Sequence, residues 1–107
     1  MIRASFEKDR KTGLFTGFSV TGHAGYREEG ADIVCAAVSS AVYMAVNTIT
    51  DVLFLPASVQ EKNGDLRCRV TKENAAGCRV CMEGLCLHLQ GLSEQYSQYL
   101  QVSILEV

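Results

Sequence analysis

Ile2, Ala4 and Phe6 alternate with Arg3, Ser5 and Glu7, the period-two pattern of a strand with one buried face. Turn-forming residues from Asp9 to Gly13 follow, and alternation resumes from Leu14 to Thr21 with Phe18 and Val20 on either side of Ser19. This predicts a β-hairpin that delivers His23 at its far end. If the alternation runs one step past the strand, His23 points away from the face that carries Phe18 and Val20. The next run, 33–50, holds no charge. A helix over 33–55 is expected, apolar on nearly every side and so surrounded by protein, with Pro56 as its stop.

Residues 58–62 and 65–70 flank Asn63-Gly64, the dipeptide that most favours a two-residue type I′ turn, and predict a second hairpin. Leu66, Cys68 and Val70 fall on one face. Arg67 and Arg69 fall on the other, as a solvated sheet face or a substrate contact. Thr71 to Asn74 offer cap residues, and from Ala75 to about Tyr99 the positions Cys78, Met82, Leu85, Leu89, Leu92 and Tyr96 recur at helical spacing. Gly77, Gly84 and Gly91 recur every seventh residue along this helix, which would permit close approach by another helix, within the chain or across a dimer. Val102 and Ile104 alternate with Ser103 as a last strand. The expected fold is a single α+β domain over 1–107 of order ββαββαβ. Two hairpins and a C-terminal strand form one mixed or antiparallel sheet, packed with two helices.

Composition narrows the function. With 10 basic and 12 acidic residues the net charge is −2, so the electrostatic footprint of a nucleic-acid binder is lacking. The alternating start has neither the basic n-region nor the apolar h-region of a signal peptide, and a cytoplasmic protein is expected. The uncharged 33–50 run touches the lower limit of a membrane span. Ser39, Ser40, Asn47, Thr48 and Thr50 interrupt it, which favours a core helix over a bilayer. Five cysteines, an odd count, point to thiols rather than a disulfide framework.

The candidate chemistry lies where the first hairpin meets the first helix, in the stretch GHAGYREEGADIVCAAVS from Gly22 to Ser39. Gly22, Gly25 and Gly30 give the connector access to backbone angles closed to other residues. Tyr26 to Glu29 form an exposed segment, a lid over the site or a plain loop. Asp32 precedes the apolar run as an N-cap would, which makes Cys35 the third helical residue. A thiol there faces unpaired N–H groups and the positive end of the helix dipole, which favour thiolate. An imidazole carried to it by the connector completes a Cys/His nucleophilic pair. A small buried helix cysteine and a polar strand-end histidine account for the same spacing equally well. Ser39 shares a helix face with Cys35, near the thiol or a substrate carbonyl, or bonded back to the preceding turn.

GHAGY followed by GADIVCAAVS closely resembles the ribosomal-processing cysteine proteases called Prp, along the whole chain. The resemblance implies His23 and Cys35 as catalytic dyad and marks Asp32 and Ser39 as motif positions. It implies removal of the N-terminal extension of the twenty-seventh large-subunit ribosomal protein, a precursor with an apolar segment before the cut, and a homodimer. A non-catalytic ribosome-assembly or protein-binding module, or another thiol-dependent acyl-transfer enzyme, is the alternative. No cofactor is expected. Cys78, Cys81, Cys86 and His88 have zinc-like spacing, but on a continuous helix Cys78 and His88 stand roughly 15 Å apart, too far for one ion. They are read as core cysteines and a structural histidine, with no metal.

Overall fold

The computed structural model of the chain describes residues 1–22 and 31–107, the side chains of Ala31 and Asp32 excepted. Strands β1 (Ile2–Lys8), β2 (Phe15–Thr21), β3 (Ser58–Lys62), β4 (Asp65–Arg69) and β5 (Leu100–Glu106) form one sheet in the order β3-β4-β2-β1-β5. All neighbours are antiparallel except β1 and β5, which run parallel. The sheet is therefore mixed, because β5 returns to the edge of β1 after a helical crossover. Helices α1 (Ala31–Asn47) and α3 (Arg79–Gln95) supply the apolar layer for it. The expected α+β fold of order ββαββαβ holds.

Both turns follow their local chemistry. The Asp9 carboxylate accepts hydrogen bonds from the Thr12 N–H (3.1 Å) and hydroxyl (2.8 Å), and Lys72 Nζ lies 3.5 Å away. In the second hairpin Asn63 and Gly64 both take positive φ, 54° and 85°, as a type I′ turn demands. The alternation of β2 departs from expectation at one point. Phe15 and Phe18 are both in the core, because Glu7 pairs with Gly17 while Lys8 pairs with Phe15, leaving Thr16 as a bulge.

Both helices differ from the predicted spans. The first does not run to residue 55. α1 ends at Asn47 and continues as one wider turn, Thr48–Val52. The chain leaves it through Phe54 in the left-handed region (φ 54°), with the Leu55 N–H bonded to the Ile49 carbonyl at 3.0 Å. The reversal thus precedes Pro56. The second is not continuous from 75. A single turn, α2 (Lys72–Ala75), passes through a tight turn at Ala76–Cys78 before α3 begins. Gly77 sits in this break because a Cβ there would lie 3.1 Å from Leu55 Cδ1. Of the three spaced glycines it alone meets a neighbour; a Cβ on Gly84 or Gly91 would meet open space.

Phe6, Phe18, Val34, Val38, Ile49, Met82, Leu89 and Leu100 form the centre of the core. Met82, Leu85 and Leu89 confirm the apolar stripe of the second helix. The expectation that α1 is enclosed on all sides fails. Ile33, Tyr43, Met44, Val52 and Phe54 are exposed, since one sheet face and one neighbouring helix cover only part of its circumference.

Candidate active site

Gly22 ends β2 and opens the motif stretch. Its φ is 84°, and a Cβ there would come within 2.4 Å of the Met1 carbonyl oxygen, so only glycine fits. The Gly22 N–H donates to the Asp65 carboxylate at 3.1 Å. The start of β1, the end of β2 and the start of β4 are thus tied at one corner. Asp65 and Met1 were not singled out from the sequence, and no local signal could have found them: Asp65 lies 43 positions from its partner. The backbone turn at Gly22 also ends the strand alternation, so the parity that would orient His23 stops at Thr21.

His23, Gly25, Tyr26 and Gly30 lie outside the described residues, as does the whole lid expectation for Tyr26 to Glu29. Asp32 is not the residue before the helix. α1 begins at Ala31, so Asp32 is its second residue and Cys35 its fifth. The start moves back two residues, with helical geometry already taken at Ala31. In this register the Cys35 N–H serves the helical bond to the Ala31 carbonyl, and the N–H groups left without helical partners are those ahead of Val34.

Cys35 is half-buried and packs against the core. Ser39, one turn on, is exposed, and among the described residues its hydroxyl makes no hydrogen bond. The back-bond considered for Ser39 is made instead by Thr48 to the Met44 carbonyl (2.7 Å) and Thr50 to the Val46 carbonyl (3.1 Å), where α1 widens.

The other four thiols have different surroundings. Cys68, Cys78 and Cys86 are buried. Burial, with the neighbouring Cys78 and Cys81, pushes the Cys68 thiol up to about 11. Burial likewise raises Cys78, Cys81 and Cys86 above the ordinary value of 9.0. Raised values disfavour thiolate at neutral pH, so these four thiols are poorer candidates than Cys35 for attack on a peptide carbonyl. Arg67 and Arg69 lie on the exposed sheet face as expected, and Arg69 pairs with Glu7 at 3.1 Å.

A concavity of about 1120 Å³ runs between α1 and α3, lined by Ala41, Met44, Ala45, Val80, Cys81 and Leu85 among others. Neither Cys35 nor Ser39 lines it, so it lies on another side of α1.

The order of elements and the single five-stranded sheet match the fold of a known class of thiol hydrolase. A family model described as cysteine protease Prp matches residues 1–101, and the chain belongs to that family. It is a cysteine protease; the reading as a non-catalytic module is set aside. The ribosomal processing cysteine protease Prp of Bacillus subtilis (strain 168) is 28% identical over 109 residues, spanning 96% of this chain and 96% of that protein. The protein of that name from Staphylococcus aureus (strain Mu50) is 25% identical over 93 residues, 85% of this chain and 88% of that one. The crystal structure of SMU.848 from Streptococcus mutans superposes with a TM-score of 0.85 at 28% identity, covering 100% of this chain and 96% of that one. The fold also matches, at TM-score 0.86 and 23% identity over 97% of this chain and 99% of that one, a ribosomal processing protease Prp from S. aureus in complex with a substrate peptide.

Proposed function

We propose that this protease processes a ribosomal protein, removing the N-terminal extension of the twenty-seventh protein of the large subunit with a Cys35–His23 dyad. The observation that carries the reading is Cys35 itself, the half-exposed thiol one turn into α1, within a family whose relatives bear the name ribosomal processing protease. Cys35 thiolate attacks the scissile carbonyl carbon. His23 protonates the leaving amine, then takes a proton from the water that hydrolyses the thioester. N–H groups of the first helical turn, ahead of Val34, hold the oxyanion. Gly22 and Asp32 support the site at the strand end and the helix start, Ser39 flanks the thiol, and Gly25, Tyr26 and Gly30 shape the substrate loop.

The test is cleavage of the precursor from the same organism by purified Cys35→Ala and His23→Ala proteins. Both are expected to fold, shown by unchanged circular dichroism, and neither to cut. Cleavage by either folded variant refutes the dyad. Intact precursor in the presence of the unmodified protein refutes the substrate.

The enzyme acts in the cytoplasm and meets its substrate as protein rather than as nucleic acid. It acts as a homodimer in which a second copy covers the apolar turn at Val52 and Phe54. Val52 is 68% exposed and Phe54 80% exposed in the single chain, and large exposed apolar patches mark association sites. Sedimentation equilibrium should return twice the chain mass; a single-chain mass at micromolar concentration would refute the dimer.

A further inference from the structure

The CRVC sequence at the break before α3 has no part in the proposed peptidase mechanism. Cys78 is the residue ahead of α3, with φ −113° and ψ 16°, and Cys81 is the third residue of the helix. We infer that Cys78 and Cys81 form a reversible intramolecular disulfide, a redox modification site in which Cys81 meets hydrogen peroxide and Cys78 resolves the sulfenic acid that results.

Four observations carry this. Residues three apart on a helical turn have Cβ atoms about 5–6 Å apart, and a disulfide needs about 4 Å. The remaining closure falls where regular helix is already interrupted. Second, Cys-X-X-Cys at a helix start is the spacing of dithiol–disulfide sites. Third, access is divided between the two sulfurs: Cys81 is half-exposed and lines the open groove between α1 and α3, while Cys78 is fully buried behind it. Fourth, both sulfurs are held only by weak S–H bonds, Cys81 to the Ala45 carbonyl at 3.5 Å and Cys78 to the Asn74 and Ala75 carbonyls at 3.6 Å each. Little is lost when they rotate toward each other. Burial raises both thiols, so the site responds to sustained oxidant rather than to a brief pulse.

In the first step the Cys81 sulfur attacks a peroxide oxygen. The O–O bond breaks, and the departing oxygen takes up the thiol proton, leaving Cys81 as sulfenic acid and one water. The Cys78 sulfur then attacks the Cys81 sulfur. The S–O bond breaks, and hydroxide leaves with the Cys78 proton as a second water. Two thiols are oxidised and one peroxide is reduced to two waters.

The experiment treats the reduced full chain with hydrogen peroxide, alkylates remaining thiols under denaturing conditions and maps each cysteine by peptide mass. Cys78 and Cys81 are expected to be lost together, in a peptide lighter by two hydrogen atoms, and both restored by dithiothreitol. In Cys81→Ser, whose fold is checked by circular dichroism, Cys78 should stay alkylatable under the same dose. Pairing of Cys78 with Cys68, a bond between chains, or both residues remaining thiols in the unmodified sequence while Cys35 is oxidised would each overturn the inference. So would unabated loss of the Cys78 thiol in Cys81→Ser.

Discussion

Two half-exposed thiols lie near opposite ends of α1. Cys35 belongs to its second turn, and Cys81 reaches it from α3, donating to the Ala45 carbonyl. Similar exposure does not mean similar chemistry. At the head, Cys35 lies in the second turn of the helix, close to the N–H groups that lack helical partners. At the tail, Cys81 sits among other thiols and apolar side chains that raise it above 9.0. Position on the helix and the polarity of the neighbours, rather than exposure, set the two thiols apart.

The sharpest challenge to this contrast is alkylation at pH 7. With its thiol at about 11, Cys68 is thiolate in only about one part in ten thousand, so Cys35 should label at least about a hundredfold faster than Cys68. Cys78, Cys81 and Cys86 should follow slowly, with rates still climbing above pH 9.0, because a raised value moves the thiolate transition to higher pH. Equal rates at Cys35 and Cys81 would break the contrast.

Next in size is the corner that positions the head. Gly22→Ala sets a Cβ 2.4 Å from the Met1 carbonyl oxygen, and relieving that clash must displace the strand end that leads to His23. Peptidase activity should fall on the order of a hundredfold, as misplacement by about 1 Å at a reacting centre costs, while Cys81 labelling stays unchanged. Undiminished cleavage would show that the corner does not position the site.

At the tail the expected effect is smaller. Phe54 adopts a left-handed conformation that costs a non-glycine residue about 1–2 kcal/mol, yet it is 80% exposed in the single chain. Phe54→Gly should stabilise the isolated chain by about 1 kcal/mol, read by urea denaturation at low concentration, and weaken the proposed dimer. A variant equally dimeric would remove Phe54 from that interface.

The smallest effect is acidic and belongs to neither end. The Thr12 hydrogen bonds, aided by Lys72, hold the Asp9 carboxyl below its ordinary 3.8. The folded state therefore keeps this group ionised where the unfolded chain already binds a proton. The stabilisation is complete above the ordinary value and is lost as pH falls through the lowered one. Asp9→Asn should flatten the acid limb of a denaturation-against-pH curve; an unchanged limb would dismiss the contribution.

Much of this was legible in residue order. Alternation, the Asn63-Gly64 turn and the Met82, Leu85 and Leu89 spacing depend on neighbours within a few positions, so each element announced itself locally. Cys35 was legible for the same reason, as a cysteine at the start of an apolar run. Helix limits were less so. The left-handed exit at Phe54 ended the first helix before Pro56, and the contact between Gly77 and Leu55 marks the break in the second.

By itself the sequence determined the order of elements, the hairpin turns and the placement of Cys35 near a helix start, because those rest on short-range backbone and side-chain preferences. Only tertiary structure decided that β5 runs parallel to β1, that Asp65 and Met1 fix the Gly22 corner, and that one side of α1 is left bare. Each of these depends on groups far apart in the chain, whose meeting is set by sheet pairing and by how much surface one layer can cover.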